Sequence, residues 1–277
     1  MVNRKALDPT SSPWAPFGVQ LRRSREALGL TQAQLAKQLG YDHTSVCYIE
    51  LAKRAPTAKF ARLADEALQT GGTLVLMWWQ HKHTALIEGF PEFAEYESRA
   101  AEVRLFEVGI VPGLLQTPAY ASADLAGPVS RGEITAAQAE ERLIFRLARQ
   151  QTLQRESSPV VYAALDESAI RWQLGGRDVL SEQLGHLEDL AARPNVIIQV
   201  IPFTMGALRP FPSAVTLLTM PDHTKLAYTE TLQRGFLERD RSTVATWSRS
   251  YDRLQVDAPT QAASVDMIRA ARRELAT

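Results

Sequence analysis

The chain contains one cysteine, Cys47, so an internal disulfide framework is excluded and a reducing compartment is expected. No apolar run approaches the ~18 residues of a membrane span. The opening segment MVNRKALDPTSSPWAP has no apolar core for secretion, which makes the cytoplasm the expected location. Internal repeats and low-complexity tracts are also missing. Net charge is zero, with 31 Lys and Arg against 31 Asp and Glu, so the whole chain favours neither an acidic nor a basic partner.

That neutrality hides an asymmetry. Between Phe17 and Leu63 stand eight basic residues (Arg22, Arg23, Arg25, Lys37, Lys53, Arg54, Lys59, Arg62) and three acidic ones (Glu26, Asp42, Glu50). The excess of +5 there, balanced by −5 elsewhere, points to an anionic partner for the N-terminal part alone. At 277 residues, 45% hydrophobic and 22% charged, the chain has material for two globular domains.

Punctuation residues divide the first part into short helices. Residues 1–14 read as a flexible arm. FGVQLRRSREALGL suits a helix stopped at Gly29. Thr31 and Gln34 form a candidate capping box, with Leu35, Ala36 and Leu39 as the buried face. Gly40 ends that helix and Asp42 caps a third, on which Val46 and Ile49 share a face. TAKFARLADEALQ makes a fourth helix, broken by Gly71-Gly72, and TLVLMWWQHK a fifth. Trp78 and Trp79 read as core or interdomain packing, against the alternative of a cofactor cage. A metal pair at His81 and His83 has no third ligand nearby, and neither a metal nor a cofactor is expected.

A helix ending at glycine and followed, after a short turn, by a capped helix makes the two axes cross steeply. The first turn of the third helix then projects as a stiff finger of a width suited to a DNA major groove. The stretch LRRSREALGLTQAQLAKQLGYDHTSVCYIELAKRAPT resembles the lambda-repressor-like helix-turn-helix domain of the xenobiotic-response-element class of bacterial regulators. The resemblance implies base contacts from His43, Thr44, Cys47 and Tyr48, and phosphate contacts from Gln32, Ser45, Lys53 and Arg54. It also implies a largely buried ion pair between Arg25 and Glu50, two-fold dimerisation, and double-stranded DNA with a roughly palindromic operator as partner. Leu51-Ala52 stands where the family often carries a glycine, so the third helix is expected to run slightly further. Cys47 reads as an inert small side chain, against a redox sensor, and the whole motif as a DNA reader, against a helical adaptor.

Residues 83–93 read as a linker and 94–277 as a second domain. EFAEYESRAAEVRLFE looks helical. The following VRLFEVGIVPGLLQTPAYASADLAG combines a β-branched stretch with a Pro/Gly-rich loop, and TAAQAEERLIFRLARQQTLQRE is a strong helix. PVVYAALDE, VIIQVIPF, AVTLLTMP and KLAYTET read as strands, and two helices close the chain. The expected class is an all-α helix-turn-helix module at 15–82 followed by an α+β domain with a mixed sheet and flanking helices. LFEVGIVPGLLQTPAYA, VVYAALDESAIRW, VIIQVIPF and YTET resemble the C-terminal domain of unknown function of actinobacterial, antitoxin-like regulators. That likeness implies dimerisation, a small partner protein encoded nearby, or a ligand response. Asp166, Glu167, Arg209 and Glu230 are the candidate ligand pocket. No nucleophile elbow or phosphate loop accompanies them, so an enzyme is not expected.

Overall fold

Turn and cap chemistry cuts the first part of the chain into five short helices. A computed structural model describes residues 12–80, 87–155, 157–231 and 234–276. Helices α1 (Ala15–Ala27), α2 (Gln32–Leu39), α3 (His43–Glu50), α4 (Ala58–Leu68) and α5 (Thr73–Gln80) follow in order. Thr31 Oγ1 accepts from the Gln34 N–H at 3.2 Å while Gln34 Oε1 accepts from the Thr31 N–H at 2.8 Å, a reciprocal cap that starts α2. Gly40 ends α2 at φ 69°, a left-handed value that only glycine adopts without a Cβ penalty. Asp42 then caps α3 through the Ser45 N–H at 2.7 Å. Buried Asp65 accepts from the N–H groups of Leu74 and Val75 at 2.9 and 2.8 Å, fastening α5 to α4.

Phe17, Leu21, Leu35, Leu39, Val46, Ile49, Phe60 and Trp78 fill the core between these helices. At Gly18, α1 lies directly against the end of α3. A Cβ there would stand 2.8 Å from the carbonyl oxygens of Ile49 and Glu50, so no larger residue fits without moving a helix. The end of α3 differs from the sequence expectation. The helix stops at Glu50, and Ala52 turns the chain at φ 54°. The alanine has taken over the glycine's left-handed turn in place of extending the helix, at a steric cost of about 1 kcal/mol.

One carboxylate joins three helices here. Glu50 is fully buried and receives Arg25 Nε at 2.5 Å and Nη2 at 3.0 Å. Gln32 Nε2 donates to the same group at 2.7 Å, and Arg22 Nε lies 3.5 Å away. Arg25 also donates to the Leu30 carbonyl at 2.7 Å, which pins the connection from α1 to α2. Hydrogen bonding to Glu50 holds the Arg25 guanidinium in its charged form even beyond its ordinary range.

The second part begins with α6 (Phe90–Glu97), so the stretch read as a linker is helical from Phe90 onward. The long helix read over 92–107 stops at Glu97, and Glu102–Glu107 is strand β1. It pairs on both edges, so strand bonding overrides the local helical pattern. The Pro/Gly-rich stretch read as loop also holds a helix, α7 (Pro118–Ser130), capped by Thr117 with Pro118 in its first turn, where proline lacks nothing the helix needs. Then come α8 (Ala136–Gln150), β2 (Val160–Asp166), α9 (Ser168–Arg171), α10 (Arg177–Ala191), β3 (Val196–Ile201), β4 (Val215–Thr219), β5 (Lys225–Glu230), β6 (Gly235–Glu238), α11 (Arg241–Asp257) and α12 (Gln261–Leu275). Short β6 has no counterpart in the sequence reading.

The six strands form one mixed sheet in the order β3-β2-β1-β4-β5-β6. Val103 lies opposite Val161 in a parallel pairing and opposite Leu218 in an antiparallel one. Leu184 and Leu187 of α10 and Ile268 of α12 share a core with one face. On the other, Val244, Tyr251 and Leu254 of α11 pack with Phe106 and Ala227. The Tyr251 hydroxyl lies 3.0 Å from the carbonyl oxygens of Leu105 and Tyr162. The chain is thus an N-terminal helical region followed by a domain with a mixed six-stranded sheet and flanking helices. Helix α8 belongs to both, because Ile144, Phe145 and Ala148 enter the core of the first five helices. Phe145 packs on Trp79 with ring centroids 4.7 Å apart.

Two stability measurements check these readings by urea denaturation. Glu50→Ala should lower unfolding free energy by about 3–5 kcal/mol, because Arg25 is left buried without its anion; a midpoint near wild type would show the pair to be dispensable. Ala52→Gly should raise stability by up to about 1 kcal/mol through relief of the left-handed alanine, and a loss of similar size would contradict that backbone assignment.

Candidate nucleic-acid interface

Everything that α3 turns inward is committed to packing, and its outward face is open. His43, Thr44 and Tyr48 are exposed and Cys47 is half-buried. A spacing of one, three and four residues places these side chains along a single helix face. The Lys53 ammonium lies 6.0 Å from the centre of the Tyr48 ring, so a cation sits beside the aromatic group at the end of that face. Lys53 and Arg54 are both exposed in the loop that follows.

Two residues read from the sequence as phosphate contacts stand differently. Ser45 is buried; its hydroxyl donates to Asp42 Oδ2 at 2.7 Å and accepts from Arg54 Nη1 at 2.9 Å. With its proton and a lone pair engaged, it serves the cap in place of an outside anion. Those hydrogen bonds from Ser45 hold the Asp42 carboxyl below the usual carboxylate range. Gln32 turns its side chain onto Glu50, so what this position offers an anion is the backbone N–H at the start of α2. Arg54 spans from the loop to the first turn of α3 and thereby braces the helix it was expected only to flank.

The four residues read as a C-terminal ligand pocket do not converge. Asp166 and Glu230 sit at the ends of β2 and β5, three strands apart in the sheet, or about 14 Å at ordinary strand spacing. Asp166 is buried and paired with Arg209 at 2.6 Å, and it also accepts from Ser168. Glu167 accepts from the Phe203 N–H at 3.0 Å and pairs with Arg171 at 2.7 Å. These groups are saturated by neighbours and fasten loops.

Glu230 instead opens onto a separate cavity of about 130 Å³ beneath α6 and α8, which Glu107, Arg146, Arg149 and Tyr228 also line. None of these four was singled out from the sequence. Only a carboxylate closing a strand, as Glu107 does, was a usable signal.

Trp78 donates its indole N–H to the Pro56 carbonyl at 2.8 Å and Trp79 packs on Phe145, so both serve the core. His81 and His83 lie outside the described residues. Among the described residues, no group of three His, Cys, Asp or Glu side chains is placed to hold a metal. No helix among them is long and apolar enough to cross a membrane.

Comparison with known proteins adds two matches. Residues 16–77 match a helix-turn-helix domain, which spans α1 to α5 and suggests a DNA-binding regulator. No curated protein and no solved structure matches the chain. Residues 90–270 match a domain of unknown function, DUF5753, and over that majority of its length the chain belongs to the DUF5753 family.

Proposed function

We propose that the protein is a sequence-specific, DNA-binding transcriptional regulator that inserts α3 into the major groove. The observation that carries this reading is the outward face of α3. His43, Thr44 and Tyr48 project from a helix that is capped at one end and locked by Glu50 at the other. On this reading those three and Cys47 meet base edges, while Lys53, Arg54 and the N–H groups at the start of α2 meet phosphate. His43, Cys47 and Tyr48 include none of the strong bidentate base readers, so part of the sequence preference comes from DNA shape and bridging water.

The finer assignment is to a xenobiotic-response-element-class regulator of the actinobacterial, antitoxin-like kind, acting in the cytoplasm as a homodimer. Two modules would sit about 34–36 Å apart on a roughly palindromic operator. The DUF5753 domain would mediate dimerisation and respond to a small partner protein or a ligand. This is a binding role and not a catalytic one, a reading supported by the saturation of Asp166 by Arg209 and Ser168.

Two substitutions on selected operator DNA separate the two classes of contact. Thr44→Ala should change discrimination at one base position by about 1–3 kcal/mol and leave binding to random duplex unaltered. Lys53→Ala should weaken binding to every duplex alike and flatten the slope of log affinity against log salt by about one unit. Identical effects of both on random DNA would mean that α3 is not the reading helix.

A further inference from the structure

The cavity beneath α6 and α8 has an unbalanced set of charges. Two arginines and several carboxylates surround it, and the arginines are already matched. Arg149 is bidentate to Glu97 at 2.7 and 2.8 Å and lies 4.8 Å over the Phe90 ring. Arg146 Nη1 meets Asp124 and Gln116, each at 2.7 Å. Glu107 and Glu230 have no such partner. Glu107 accepts only the Val108 N–H, at 3.3 Å, and Glu230 only the Tyr228 hydroxyl, at 2.8 Å. Among the described residues neither carboxylate has a basic side chain within ion-pair distance.

The walls between them suit carbon as well as charge. Phe93 stacks on Tyr228 with centroids 4.0 Å apart, and Leu105, Ile110 and Leu114 complete the lining. On the same measure one water needs about 10–15 Å³, so 130 Å³ has room for a molecule of several heavy atoms. A free anion would meet the unmatched Glu230 carboxylate beside the Glu107 carboxyl group and find both guanidinium groups occupied.

We propose that this cavity binds a small organic cation, a compact alkylammonium or guanidinium compound, between Glu107 and Glu230, and that α8 carries its occupancy to the helix-turn-helix. The second half of this proposal rests on the regulator reading above; the first half does not. Helix α8 has the geometry for the relay. Arg146 and Arg149 line the cavity, and Ile144, Phe145 and Ala148 of the same helix pack into the N-terminal core. A bound cation would place a positive charge beside Arg146 and Arg149 and so alter the electrostatic balance that holds α8 in place.

The charge pattern supplies a distinctive signature. Glu107 is faced by Glu230 from β5, Asp124 and Tyr120 from α7, and Arg146 from α8. Burial, with repulsion from Glu230 and Asp124 added and Arg146 opposing, pushes its carboxyl up to about 8. At pH 7 Glu107 therefore carries a proton, and an arriving ammonium group displaces it.

Titration calorimetry of the full chain tests this with n-propylammonium and 1,4-diaminobutane, and with butyrate as the anion of similar size. Saturable binding of an amine is expected, with none of butyrate, and a binding heat at pH 7 that changes with the ionisation enthalpy of the buffer as one proton leaves. Glu107→Gln and Glu230→Gln keep the cavity's shape and should each weaken the amine by about tenfold or more. Glu230 is exposed, so its variant reads the site even if Glu107→Gln folds poorly. Absence of amine binding, equal binding of butyrate, or unchanged affinity in both variants would overturn the site. Operator retention is then measured with and without n-propylammonium, against Glu230→Gln as control. A shift confined to the unmutated chain supports the relay. Unchanged retention by a chain that calorimetry shows to be loaded overturns the relay alone, and failure to bind duplex even without amine strikes the regulator reading instead.

Discussion

Glu50 sits where water cannot reach it, so its charge has to be met by the protein or not at all. Arg25 supplies the counter-charge and Gln32 a further donor, and these two residues belong to different helices. Satisfying one carboxylate therefore fixes α1, α2 and α3 relative to one another, which hydrophobic contact alone does less strictly. The angle at which α3 meets its surroundings follows from this. So does the exposure of His43, Thr44 and Tyr48, since a helix free to roll by a third of a turn would bury one of them. The close approach at Gly18 reinforces the arrangement by allowing α1 to lie directly on the carbonyls of Ile49 and Glu50.

Local chemistry was legible in the sequence. The capping box of Thr31 and Gln34, the Asp42 cap and the left-handed turn at Gly40 involve residues within four positions of one another, and each occurs in the structure. The class of the second domain was legible too, because its strands are bounded by prolines and turns. What escaped depends on distant partners. Glu102–Glu107 looked helical as the continuation of the charged and alanine-rich run before it. Arg104 is satisfied along the strand and from a distant helix, reaching Glu102 at 2.8 Å and Asp252 of α11 at 2.6 Å beside the rings of Tyr162 and Tyr251. Ser45 was read outward by analogy, yet its neighbours Asp42 and Arg54 draw the hydroxyl inward. Glu107, Arg146 and Tyr228 are scattered over more than a hundred residues, and nothing in one dimension marks them as lining one cavity.

The separation between candidate functions follows the same division. The caps and turns that bound α3 follow short-range rules, and the segment matches a helix-turn-helix domain, so its chemistry is legible in the sequence. The buried charged groups of the DUF5753 domain include long-range pairs. Asp166 is closed by Arg209 and Glu97 by Arg149. The few left open, in a space walled by aromatic rings, therefore stand out physically even though no sequence motif announces them.

The packing of Phe145 on Trp79 also bears on how this chain can be cut. A fragment ending at Gln80 would include every helix of the helix-turn-helix and yet strip α8 from it, leaving Val75 and Trp79, each 1% exposed in the intact chain, facing solvent. Such a fragment would carry a sticky apolar scar and tend to self-associate. Domain swaps that graft this reading head onto another body therefore need to bring α8 along, or replace its inward residues with a surface that can stand in water.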